Sequence, residues 1–147
     1  MFWLSGCNEE NHVESYDIPV IEWYRFTSIE YPCIDTKISN GESMVCNNLY
    51  EMEPLGSVIN SKINFNREQI DTVTLLVHRQ DVSYRNCSVD IKVNEDVDGK
   101  ISVRTIYNLN SIDQEYEDRY VNLICIKIPK ITALTNFTYH SAIKVIN

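Results

Sequence analysis

Two apolar runs flanking an alternating hairpin constrain this chain more than any other feature. Thr72-Val73-Thr74-Leu75-Leu76-Val77-His78-Arg79 has the length and β-branched richness of a buried strand. Tyr120-Val121-Asn122-Leu123-Ile124-Cys125-Ile126-Lys127-Ile128 is more apolar still and is stopped by Pro129. Between them, Cys87, Val89, Ile91 and Val93 alternate with Ser88, Asp90, Lys92 and Asn94, the period-two pattern of a strand with one wet face. Asp98-Gly99 then marks a tight turn, because glycine accepts the positive φ such a turn needs. Ile101-Ser102-Val103-Arg104-Thr105 resumes the alternation beyond it.

The rest of the chain reads the same way. Ile18 to Phe26, Ser43 to Tyr50, Val58 to Phe65 and Phe137 to Ile146 are further strand candidates, and no segment from Val13 onward reads as a convincing helix. Asn108 to Arg119 reads as a polar, acidic loop. Roughly eight strands joined by turns predict an all-β fold, an antiparallel β-sandwich of immunoglobulin-like type. Trp23 precedes every cysteine pair, so the Cys-Trp-Cys arrangement of an antibody domain is not expected. The chain divides into residues 1–12, a truncated signal region and polar tether, and residues 13–147, a single β-sandwich domain. No run approaches the ~18 apolar residues of a membrane-spanning helix.

Charge narrows the partners. A net charge of −8 argues against nucleic acid, whose phosphates are neutralised by Lys and Arg. It favours a basic protein partner, since opposite fields raise encounter rates.

Leu4-Ser5-Gly6-Cys7 resembles the lipobox of bacterial lipoproteins: a Leu, two small residues, and the Cys that is acylated and becomes the mature N-terminus. Only Met1-Phe2-Trp3-Leu4 precede the small residues, so most of a signal sequence is missing. The resemblance implies lipidation of Cys7, a location on the periplasmic side of the bacterial envelope, and membrane attachment through lipid alone. With Cys7 so occupied, Cys33, Cys46, Cys87 and Cys125 remain for disulfides. Of three connectivities, Cys33–Cys46 and Cys87–Cys125 are preferred: one closes a loop around Asn40-Gly41, the other staples two strand patterns. The alternative is reduced thiols. No cysteine pair has zinc-site spacing, and no metal or other cofactor is expected.

Catalytic patterns are sparse. The sequence has no Gly-x-Ser-x-Gly elbow, and His78 and His140 lie in strand patterns where packing is the commoner role. Glu95-Asp96-Val97-Asp98-Gly99 lacks the spaced ligands of a calcium loop and reads as a turn. Asn86-Cys87-Ser88 and Asn136-Phe137-Thr138 match the glycosylation acceptor pattern, which has meaning only in a eukaryotic secretory context. The acidic cluster Asp113, Glu115, Glu117 and Asp118, with Tyr116 and Tyr120 as aromatic anchors, is the candidate partner contact. A non-enzymatic envelope lipoprotein is therefore the expected function. As a class it resembles the immunity lipoproteins that neutralise toxins delivered by type VI secretion in Gram-negative bacteria. That resemblance implies occlusion of a basic toxin or enzyme. The alternatives are a structural or adhesion-type envelope module, and a hydrolase using the 113–118 carboxylates.

Overall fold

In the computed structural model, which describes residues 15–63, 65, 67–84, 87–110 and 115–146, two four-stranded sheets face each other across an apolar core. The strands are β1 (Ser15–Ile18), β2 (Glu22–Thr27), β3 (Ser43–Cys46), β4 (Val73–Arg79), β5 (Val82–Tyr84), β6 (Cys87–Asp96), β7 (Ile101–Leu109), β8 (Glu115–Tyr120), β9 (Asn122–Pro129) and β10 (Thr138–Val145). An outer sheet runs β1-β6-β7-β10 and a central sheet runs β2-β9-β4-β3; β5 and β8 form a separate two-stranded ribbon. The expected sandwich is present, with ten described strands. All described pairs are antiparallel except β10, which runs parallel to β7 at the edge of the outer sheet.

Burial explains why the strands read as they do. The central sheet is covered on both faces, so β4 and β9 are buried almost end to end and appear in sequence as unbroken apolar runs. One face, with Leu76, Ile124, Ile126 and Ile128, packs on Val93, Ile101 and Val103 of the outer sheet. The other, with Cys46, Leu75, Val77, Leu123 and Cys125, packs on Met52, Leu55, Ile59, Ile63 and Ile70. The outer sheet buries one face only, which is why β6 and β7 alternate. Their connection is the predicted turn: Gly99 has φ +79, and the Asp96 carboxylate accepts from the amides of Asp98 and Lys100, both at 2.9 Å.

Helices cover the second face, where strands or turns were expected. A 3₁₀ helix spans Leu49–Leu55, followed by α1 (Ser57–Lys62) and α2 (Arg67–Thr72). The β-branched residues from Val58 onward have the pattern of a strand. The stretch is helical because the Asp35 carboxylate accepts from Ser57 N, Val58 N and Ser57 Oγ at 3.1, 3.1 and 2.7 Å, capping the first turn. Ile59 and Ile63, one turn apart, then meet the central sheet. Gly56 leads into this turn with φ +96, and an added Cβ would lie 2.6 Å from the Asp35 side chain.

Candidate functional site

The acidic segment read as a loop is in part a strand. β8 pairs with β5 through Val82↔Tyr120 and Tyr84↔Glu115, with a register shift between them. Tyr120 fixes the base of this ribbon. Its hydroxyl donates to the Tyr84 carbonyl at 2.6 Å and accepts from Arg25 Nη2 at 3.0 Å. Arg25 Nε also donates to Asn122 Oδ1 at 2.6 Å, while Asn122 Nδ2 donates to the Tyr107 hydroxyl at 2.9 Å and the Gln80 carbonyl at 3.1 Å. One guanidinium, lying 5.7 Å over the Tyr107 ring, thus ties ribbon, central sheet and outer sheet together. Tyr120 is therefore a buried anchor rather than a contact residue, and its phenol is pushed up chiefly by that burial. Asp118 and Arg119 are exposed on β8. Asp113 lies outside the described residues, as do the side chains of Glu115, Tyr116 and Glu117.

The cysteines depart from the expected pairing. Cys33, Cys46, Cys87 and Cys125 are all free thiols. Cys125 alternates with Ile124 and Ile126, so its side chain enters the helix-side core, whereas Cys87 packs with Val82, Tyr107 and Tyr120. A Cys87–Cys125 bond would have to cross the central sheet. Cys33 is exposed, while Cys46 is fully buried with Sγ donating to the Glu51 carbonyl at 3.3 Å. Burial pushes the Cys46 thiol up to about 12 and raises Cys125 as well, so both stay protonated and unreactive. Cys7 lies outside the described residues.

No protein-family model, curated protein or solved structure matches this chain.

A second polar cluster sits between the sheets, assembled from residues far apart in sequence. Ser43 Oγ on β3 lies 2.6 Å from His78 Nδ1 on β4. The imidazole stacks on the Tyr139 ring of β10, centroids 3.7 Å apart and planes within 14°. The Tyr139 hydroxyl shares a 2.6 Å hydrogen bond with Thr105 Oγ1. Burial lowers the imidazole from 6.5 to about 4, so it is neutral at physiological pH. A neutral base beside a hydroxyl is half of a nucleophilic arrangement. Here, however, the ring lies flat on Tyr139 and is 9% exposed. What the cluster does mechanically is join β3 and β4 of the central sheet to β10 of the outer one.

Proposed function

We propose that this chain is a non-enzymatic binding protein of the bacterial envelope, lipid-anchored through Cys7, that neutralises a basic protein partner in the manner of an immunity lipoprotein. One observation carries the partner-binding half. Glu115–Tyr120 form a strand of a ribbon whose base is tied down by Tyr120 and Arg25, with Asp118 exposed on it. A segment held in place loses less entropy on binding than a free loop, and the overall charge of −8 accelerates encounter with a cationic surface. The anchoring half rests on Leu4-Ser5-Gly6-Cys7.

Each half has its own test. Intact mass of the protein from its native envelope should show acylated Cys7; an unmodified mass would remove the anchor. Binding to a toxin encoded beside it, followed calorimetrically at two salt concentrations, tests the ribbon. The triple variant E115K/E117K/D118K should weaken binding by about tenfold or more and flatten its salt dependence. Unchanged affinity would exclude the ribbon as the contact. Hydrolysis by the purified protein, lost in E115Q or E117Q, would instead favour the carboxylate-enzyme reading.

A further inference from the structure

On the solvated face of the outer sheet, two cationic side chains and an imidazole come together in an acidic protein. β6, β7 and β10 bring Lys92, Arg104 and His140 into one transverse row, Lys92 opposite Arg104 and Arg104 opposite His140. All three are exposed. Lys92 and Arg104, directly opposed on an antiparallel pair, hold their Cβ atoms roughly 4.5–5.5 Å apart, where like charges destabilise the sheet. The chain has 13 Lys and Arg against 21 Asp and Glu, so acidic neighbours would be the commoner outcome. Yet among the described residues none of the three makes an ion pair. Asp90, two residues before Lys92 on the same face, accepts from Asn108 Nδ2 at 2.9 Å. Asp17 lies one row away, opposite Asn94. Together with Asn94 and Ser102, the three basic side chains line a depression of about 180 Å³.

We propose that this row is a binding site for a phosphate-type oxyanion. A guanidinium engages two oxygens of such a group at once, while an ammonium supplies a compact charge. The imidazole and the Ser102 hydroxyl add further hydrogen-bonding groups around the depression. A carboxylate has two oxygens to offer the Arg104 fork, whereas a tetrahedral oxyanion has further oxygens for Lys92 and His140. At 0.15 M ionic strength the Debye length is about 8 Å, so the distant acids responsible for the net charge are screened at the row. The oxyanion belongs to a free phosphate or to a phospholipid headgroup, and the proposal stands whether or not Cys7 carries lipid.

The test uses the full chain in two arms at 0.15 M salt. In the first, inorganic phosphate is titrated while the Arg104 side-chain and His140 ring signals are followed by NMR. In the second, the full-length C7S chain, which cannot be acylated, is floated with phosphatidylcholine vesicles with and without phosphatidylglycerol. Saturable shifts at the row, weakened about tenfold or more by R104Q and less by R104K, identify free phosphate as sufficient. Flotation requiring phosphatidylglycerol and lost in R104Q, without a phosphate titration, identifies the headgroup. K37Q removes the same formal charge from an exposed lysine outside the outer sheet and should change neither. Equal losses in K37Q and R104Q, or no saturable response in either arm, would overturn the proposal. Circular dichroism of each variant separates binding loss from misfolding.

Discussion

Protonation of His78 should dominate the acid sensitivity of this fold between pH 7 and 5. The folded imidazole falls from 6.5 to about 4 because burial disfavours its charged form. Between those values the unfolded chain binds a proton that the folded chain does not, so stability falls as pH falls. At about 1.4 kcal/mol per pH unit, the full loss by pH 4 is roughly 3 kcal/mol, of which about 2 kcal/mol has gone by pH 5. Carboxylates act in a lower window. Hydrogen bonding from Tyr24 and then Lys127 lowers Glu22, and bonding from Ser57 and Val58 lowers Asp35. Their stabilisation is present above the ordinary carboxylate range and lost as pH drops through it, below about 4.5. Urea unfolding followed by circular dichroism at half-unit steps from pH 7.5 to 5 would isolate the imidazole. Wild type should lose about 2 kcal/mol, a drop of roughly 4–8 °C in Tm. H78F, which keeps a ring against Tyr139, and H78Q should be nearly flat across the range. Equal slopes in wild type and both variants would refute the assignment.

Other perturbations follow from specific contacts. G56A should destabilise by about 2 kcal/mol or more in the same unfolding assay, because the left-handed backbone at Gly56 disfavours any side chain and the new Cβ meets Asp35. Lys127 is buried, with Nζ 3.1 Å from Glu22 Oε1, 3.3 Å from the Tyr24 hydroxyl and 5.0 Å from the Phe65 ring centroid. K127A should therefore cost roughly 3 kcal/mol, and K127M, which keeps the stem volume, about half of that or less. Among the four described cysteines, a thiol reagent should label Cys33 first and reach Cys46 and Cys125 only on unfolding. Labelling of Cys125 at the rate of Cys33 in folded protein would contradict the buried placement.

Much of the fold was readable because burial writes itself into residue order. β4 and β9 are apolar without interruption because both faces of the central sheet are covered, and β6 and β7 alternate because the outer sheet has one wet face. Asp98-Gly99 could be recognised from two residues because the turn is local. The helical layer could not. Val58, Ile59 and Ile63 carry β-branched side chains, and what makes their segment helical is the carboxylate of Asp35 on a distant loop together with the apolar face of the central sheet. Both are tertiary, and tertiary context overrides weak propensity. The cysteine pairing failed for a related reason. Spacing says how long a loop would be closed, but alternation along β9 decides which side of the sheet Cys125 enters.

Charge shows the same limit in its sharpest form. Net charge is a property of composition, and −8 points to a basic partner for the molecule as a whole. Sheet pairing then sorts the charges, and what a ligand meets is the sorted surface. Lys92, Arg104 and His140 occur singly in sequence, each in an alternating strand where an outward polar residue is unremarkable. Antiparallel pairing of β6 with β7 and parallel pairing of β10 with β7 set them side by side. A one-residue slip in either register would turn a strand over and disperse the row. The inward residues Val93, Val103 and Tyr139 forbid that slip, because they would leave the apolar core for solvent. The register that buries the core is thus the register that assembles the cationic row, and the two cannot be changed separately.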